Sequence, residues 1–513
     1  MTPLIIIGIY LVILLALGVS SNRLFKGTSL DYLLASHSIG PFLLLMSLFG
    51  TTMTSFSLVG STGESYADGI GVYGLMASSS ALLHPLCFFI IGLKVWKLGR
   101  DHGYTTQIEF FKDRLESRRV GWVLFPVLVG IVIPYVLIGI LGAGITINAV
   151  SRGVFPDAFS ESSGGIPIWL GSLVICGVVL AYVFAGGMRG TAWANAFQTT
   201  LFMALGVITF FVLVKGIGGK AGFFESLQAA SQAVDPDKLS REHMPHRLYF
   251  AFLLVPFSIG MFPHIFQHWL TARDANAFKL PIVVHPLFVM IVWAPCVLIG
   301  TWASAKSVGI PENLPSAAIL GFLVKHHSGE VLSGLLTAGI LAAIMSSLDS
   351  QFLCLGTMFT RDVLGRRDSG SSKGGSSESD DRRTVLLARG FVVFIVALCY
   401  VLALLAGQAK GVSVFNLGIW CFSGFSALFP LIAAALYWRG LTKAGAYASI
   451  LTTAVFWVYL LSDADWGNDQ HYSFLGQHQI VSLVVASTIV LVGVSLVTRR
   501  PSDETLTKFF PKT

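Results

Sequence analysis

The chain has 513 residues, 54% apolar and only 12% charged, with a formal net charge of +7. That charged fraction is about half of what an ordinary soluble domain carries, so a water-soluble fold is excluded. The excess of basic residues lies in alternate loops rather than in one patch, as membrane topology selection leaves it, which argues against a nucleic-acid partner.

A membrane-spanning helix needs roughly 20 apolar residues. Such runs occur at 3–20, 40–62, 70–98, 120–149, 166–186, 191–214, 248–272, 281–305, 330–362, 385–406, 412–438, 443–462 and 477–497. The fold class expected is therefore an all-α polytopic membrane protein of about thirteen transmembrane helices. The first run lacks a basic region ahead of it, and Arg23 and Lys26 follow it, so it reads as a retained helix rather than a cleaved signal peptide. Placing the loops after odd-numbered spans inside gives the cytoplasm about 24 Lys and Arg, including Arg114, Arg118, Arg119, Arg366, Arg367, Arg499 and Arg500, against about nine outside. The lipid bilayer expected is the plasma (inner) membrane, with the N-terminus outside and the C-terminus cytoplasmic.

Two stretches look non-membranous. Lys215 to Arg247 is an outer loop of mixed polarity, and Asp368 to Arg383 is dominated by Ser, Gly and charge, the composition of a disordered linker. A short polar tail follows the last span, which argues against an appended sensor domain. The six cysteines (Cys87, Cys176, Cys296, Cys354, Cys399 and Cys421) lie inside spans at spacings that match no zinc or redox motif.

The second and seventh spans are interrupted. The second is dense in hydroxyls and glycines from Ser47 to Glu64, and the seventh carries Pro256, Gly260 and Pro263. Freed backbone groups in hydrocarbon cost several kcal/mol unless protein, water or ions satisfy them. These two spans lie five apart, so each opens a five-helix block, and the odd count inverts one block relative to the other. Matched broken helices in inverted halves point to a transporter's binding site; the alternative is that small residues simply allow close helix packing.

The ninth span clusters Ala343, Ser346, Ser347, Asp349, Ser350 and Gln351 where hydrocarbon would be expected. Residues three and four apart share a helix face, so Ala343, Ser346, Ser347 and Ser350 can turn toward one cavity. Hydroxyls and free carbonyls form an oxygen cage suited to a hard cation. Alternatively the serines only bond to carbonyls in their own preceding turn.

This segment resembles the signature helix of the sodium/solute symporter family, which includes sodium-coupled transporters of proline, pantothenate, sialic acid and sugars. Three further segments are similar to the family: Tyr104-Thr-Thr-Gln-Ile-Glu109 after the third span, Pro263-His264-Ile-Phe-Gln-His268 closing the seventh, and Ala427 to Trp438 followed by Lys443-Ala-Gly445. The resemblance covers residues from about 20 to 450. It implies a LeuT-like core of five-plus-five inverted repeats. The domains expected are a leading helix and cytoplasmic loop (1–39), a ten-helix core (40–440, repeats about 40–216 and 247–440, with a disordered loop at about 365–384), two trailing helices (441–498) and a tail (499–513). It also implies sodium as coupling ion, held by the backbone oxygens of Gly50, Met53 and Ala343 and the hydroxyls of Ser346 and Ser347, with no enzymatic cofactor.

Departures from the family pattern bear on the second ion and on the solute. Two-sodium members carry an Asp in a Thr-Asp-x-x-Gln pattern on the sixth span, where this chain has Asn195. A carboxylate appears instead at Asp349, and a carboxylate at membrane depth is a functional hypothesis by default. With Ser350 and Asn195, Asp349 could bind a second cation, carry a proton, or brace neighbouring polar groups. The Tyr-Glu pair of sugar transporters is Tyr73-Gly74 here, and aromatic positions of proline-type members are Phe56, Val255 and Ile259. Thr54, Phe56, Ser57, Met261 and Phe262 flank the breaks and are candidates for the solute cavity, or else are packing residues. A small polar solute is expected, whether monocarboxylate, amino-acid-like or vitamin-like.

His264 and His268 have the helical spacing of zinc ligands but lack the companion Glu of the protease motif, so no metal other than sodium is expected. No clustered nucleophile or metal constellation argues for an enzyme. The function expected is sodium-coupled symport by alternating access. The alternatives are proton coupling through Asp349, or a transporter-derived channel or sensor. The oligomeric state is left open, a monomer being sufficient for the mechanism.

Overall fold

The computed structural model describes residues 1–21, 29–242, 244–364, 378–408, 413–469 and 472–511. Among these, every extended element is helical, and the only β-type pairings are isolated bridges such as that between Ile39 and Ala272. Arg23, Lys26, Arg366 and Arg367 lie outside the described residues, as does 365–377 of the expected linker; the remainder of that linker opens the helix Glu378–Gln408.

Nine helices among the described residues are long and apolar enough to cross a membrane, and the bent pair His246–Gly260 and Pro263–Thr271 makes a tenth. Ile168–Gly218 contains two of the expected spans, divided at Gly187, whose φ of 52° and ψ of −150° only glycine adopts freely. Phe56–His102 is likewise interrupted at Gly69–Gly71. Thr2–Ser21 and Pro41–Thr52 supply the remaining apolar segments, so about thirteen crossings stand.

Local chemistry sets both breaks. Pro41 opens its helix in the first turn, where its missing N–H is harmless. The helix ends at Thr52, Met53 being extended (φ −88°, ψ 105°), and the chain resumes as a wide turn over Phe56–Gly60 before Ser61–Asp68. Hydroxyls add second donors to carbonyls beside the break: Thr52 donates to Phe49 O at 2.8 Å, which also accepts from Met53 N–H, and Thr62 to Leu58 O at 2.7 Å, which also accepts from Ser61 N–H. In the seventh span a tight turn over Val255–Gly260 carries Pro256, Pro263 restarts the helix, and the two parts meet at 49°. Ser426 on the helix Val414–Tyr437 donates at 2.9 Å to the Leu254 carbonyl, which also accepts from Phe257 N–H at 3.2 Å. The helix Glu330–Met358 runs through the centre, buried throughout from Leu336 to Met358, and packs along Ile168–Gly218.

The polar segments hold more structure than composition suggests. The loop at 215–247 folds a helix at Phe223–Gln232, and the tail forms Asp503–Phe509. That tail helix docks on Gln107–Arg114: Phe509 is buried against Phe110, Lys508 pairs with Asp113, and Ser502 donates to Glu116. Arg114, fully buried, donates to the carbonyls of Ala435 (2.9 Å) and Trp438 (3.1 Å) at the end of Val414–Tyr437.

Candidate functional site

The break in the second span lies against the buried middle of Glu330–Met358. The Ser346 hydroxyl is 2.8 Å from Gly50 O and 2.9 Å from Ala343 O. Ordinarily Gly50 O would receive the Thr54 N–H, but that N–H faces Ser57 Oγ at 3.5 Å. Ser347 Oγ sits 2.9 Å from Ile344 O, so its proton currently follows the back-bonding pattern of serines in membrane helices. Hydroxyl protons rotate, so both serine oxygens can turn lone pairs to a cation while their protons move aside. A Cβ on Gly50 would lie 2.4 Å from Thr199 Oγ1, which explains a glycine at this crossing. The five residues are all buried.

Beside this oxygen set lies a second polar cluster. Asp349, fully buried, accepts from Tyr182 OH at 2.8 Å, and Ser350 Oγ lies 3.0 Å from its other oxygen. With its nitrogen turned to the carboxylate, the Asn195 amide lies 3.2 Å from Asp349 Oδ2 and 3.2 Å from Ser346 O, and its oxygen is 3.1 Å from Ser350 Oγ. The reverse orientation leaves the amide oxygen facing only acceptors. His268 Nε2 is 3.1 Å from Ser350 Oγ. Asp349, Ser350 and Asn195 thus form one network, joined to the first oxygen set through the Ser346 carbonyl.

The positions flanking the breaks are buried among aromatic rings. Phe262 stacks on Tyr135 (centroids 5.3 Å apart, planes 4° apart), and Phe56 stacks on Phe415 (5.0 Å, 16°). Phe422 sets its edge toward both Phe56 and Tyr135. Thr54 Oγ1 accepts from Phe56 N–H at 3.1 Å. Gln107 Nε2 donates to Met261 O at 3.2 Å. Ser57 Oγ has only contacts of 3.5 Å, to Thr52 O and Thr54 N.

A sodium:solute symporter family model matches residues 32–453. The chain belongs to this family. It is therefore an integral membrane transporter coupled to sodium, not an enzyme. It is 23% identical over 512 residues to a sodium/proline symporter of Staphylococcus aureus, covering 97% of this chain and 93% of that one. A solved Na+-coupled sialic acid symporter, in a substrate-bound outward-open state, aligns over 98% of this chain and 99% of its own with a TM-score of 0.72 at 17% identity. A nucleobase-cation-symport-1 family transporter in a closed conformation aligns at a TM-score of 0.54 and 12% identity, covering 93% and 97%. The symporter accordingly has the LeuT-like fold.

Several residues of these clusters lay beyond sequence reasoning. Tyr135 is the single phenol of Val120–Ser151, a signal that could have marked it. Gln107 lies in a family-like segment but has no local pattern that aims it at Met261. Thr199 and Tyr182 reach the site only through helix packing. The histidines separate: His268 joins the Ser350 network, while His264 stacks on Phe262, and His84 Nδ1 meets His285 Nε2 at 3.3 Å. Among the described residues, no three His, Cys, Asp or Glu side chains are grouped to hold a metal ion.

Proposed function

We propose that this symporter imports a small polar organic solute by alternating access, with sodium held by the carbonyls of Gly50, Met53 and Ala343 and the hydroxyls of Ser346 and Ser347. The observation that carries this reading is the Ser346 hydroxyl, within hydrogen-bond distance of one carbonyl from each of two helices, Gly50 at a break and Ala343 one turn earlier. A hard cation favours such an oxygen set. External sodium fixes the broken second span and with it Thr54, Phe56 and Ser57, which with Met261 and Phe262 form the solute cavity. Inward opening then releases both.

The two halves that move are the inverted repeats at about 40–216 and 247–440, flanked by the leading helix and the two trailing helices. The N-terminus lies outside, the C-terminus in the cytoplasm, and one chain suffices for the cycle. A membrane potential of about 100 mV contributes about 2.3 kcal/mol per sodium carried inward, roughly fifty-fold accumulation. The relatives named above, for proline and for sialic acid, support an amino-acid-like or carboxylate solute as much as a neutral, vitamin-like one. A second reading, motivated by the buried Asp349 carboxylate, assigns Asp349, Ser350 and Asn195 to a second cation or a proton.

The test is a solute screen in proteoliposomes with and without a sodium gradient, reading uptake and charge movement. Saturable uptake that needs sodium is the expected result. Uptake driven by a pH gradient alone refutes sodium coupling and favours the proton reading, and current without saturable solute dependence favours a channel.

A further inference from the structure

The C-terminal tail docks on a helix that itself joins broken and unbroken spans. Taking the alternating-access reading above as given, we propose that Phe509 and Lys508 are positioning residues of the transport cycle. Docked on Gln107–Arg114, they hold the second and seventh spans together on the face that carries the C-terminus, and this face opens only when the dock loosens.

The closure is a short bridge. Ile39, ahead of the second span, donates its N–H to Thr271 O at 3.1 Å at the end of the seventh, and Arg273 N–H returns to Ile39 O at 2.9 Å. Beside it Gln267 donates to Leu33 O at 2.8 Å. These bonds break when the two broken spans part on this side, and Thr271 is wholly buried while they hold.

The helix Gln107–Arg114 braces that closure. Gln107 donates to Met261 O at 3.2 Å, and the Phe110 ring packs on Phe266 of Pro263–Thr271 with centroids 6.0 Å apart. Lys112 pairs with Asp362 at 2.8 Å at the end of the ninth span, and Arg114 holds the carbonyls of Ala435 and Trp438 that end the eleventh. The broken seventh span is thereby tied to the ninth and eleventh. At eight residues the helix is too short to be stable alone, so its position depends on what packs against it.

The tail supplies that packing. Phe509, 2% exposed, meets Phe110 edge to face at 5.8 Å, and the Arg114 guanidinium carbon lies 5.7 Å from the same ring. One tail ring thus bears on the contact to the seventh span and on the contact to the eleventh at once. Phe510 covers Arg114 at 5.4 Å and Arg439 at 5.7 Å, Lys508 pairs with Asp113, and Ser502 N–H donates to Glu116 at 2.8 Å. The two rings also keep Arg114 dry: it is fully buried, and away from water its hydrogen bonds are stronger. Undocking the tail admits water to the guanidinium and loosens the brace. Because Phe266 moves with the seventh span, these contacts weaken on opening, and contacts made in one state alone shift the equilibrium toward that state.

The experiment places a reporter, Thr271→Cys, in the full chain in detergent and measures its labelling by a water-soluble maleimide, with and without sodium. The six native cysteines are buried. Phe509→Ala should speed labelling roughly tenfold, the upper scale of one aromatic pair, while Phe509→Tyr stays near the intact tail. Lys508→Ala severs only a partly exposed pair and should speed it about two- to fourfold, with Lys508→Arg near the intact tail. Faster protease cutting of the tail in Phe509→Ala without faster reporter labelling overturns the proposal, since the tail is then packing alone. A rise shared by Cys176 marks general unfolding of that variant, and Lys508→Ala then decides: unchanged labelling overturns the proposal. Sodium separates this proposal from the reading it rests on. If sodium alters labelling of the reporter and neither tail variant does, only the tail's role falls. If sodium leaves the reporter unaltered, the coupling of sodium to the broken spans falls, and the tail variants still decide the tail's role.

Discussion

Replacing Ser346 by Ala removes one oxygen from the proposed cage and leaves the rest of the helix unchanged in length and backbone. In the wild-type chain that hydroxyl lies 2.8 Å from Gly50 O and 2.9 Å from Ala343 O. Gly50 O has no alternative donor in Thr54, whose N–H is directed at Ser57 Oγ. The substitution leaves a buried acceptor unmet, which costs the fold about 1–3 kcal/mol. A contact to a charged group is worth about 1.5–3 kcal/mol, so sodium should bind roughly 10- to 150-fold more weakly. The assay is the sodium dependence of solute uptake in proteoliposomes, with maximal rate recorded at saturating sodium. Ser346→Thr, which retains the oxygen, should recover most of the affinity. Half-saturating sodium unchanged in Ser346→Ala, with protein amount matched, would refute the cage.

Three other perturbations test neighbouring contacts. Gly50→Ala drives a methyl to within 2.4 Å of Thr199 Oγ1 and should lower sodium affinity about tenfold or more; Thr199→Ala in the same chain should restore part of it, and additive effects in that double-mutant cycle would deny the contact. Tyr135→Leu removes the ring stacked on Phe262 at the seventh-span hinge, so the factor by which solute tightens sodium should shrink, measured as sodium affinity with and without solute. At the C-terminal tail, the Ser502 hydroxyl bonded to Glu116 holds that carboxyl below its usual range. A folded pKa below the unfolded value contributes stability above the ordinary carboxylate pKa of about 4.3, and that stability is lost as pH falls through the folded value. Protease cutting near Ser502 should therefore rise on acidification below about pH 4, and Glu116→Gln should show raised cutting already at neutral pH.

What could be read from the sequence followed from rules that act within one helix. Apolar run length locates the crossings, the Gly-hydroxyl and Pro-Gly-Pro patterns locate the breaks, and helical spacing groups Ser346 with Ala343 and Ser350. The Ser346–Gly50 contact spans 296 positions, and only the family resemblance joined its two ends. Contacts with neither a period nor a motif stayed hidden. Thr199 and Tyr182 look like ordinary helix residues until Ile168–Gly218 packs along Glu330–Met358. The tail reads as polar because Phe509 and Phe510 are only two residues, yet Phe509 is buried against Phe110. The start of Glu378–Gln408 reads as linker because charge masks its helical continuity with the apolar run behind it.

Proximity along the chain explains how ion and solute can be coupled without a long relay. Gly50 and Met53 stand on one side of the break in the second span, and Thr54, Phe56 and Ser57 follow immediately on the other. A cation that orders Met53 O restricts the backbone entering Thr54, whose hydroxyl accepts from Phe56 N–H at 3.1 Å. The Phe56 ring meets Phe422 at 4.7 Å, and Phe422 in turn meets Phe262 at the hinge of the seventh span at 5.9 Å. The ion on one broken helix thus bears on the ring carried by the other through three contacts. Linkage requires the effect to run both ways with the same factor. On the proposed reading, therefore, a solute that holds Phe262 and Phe56 in place also holds Thr54, and sodium leaves its cage more slowly while that solute remains.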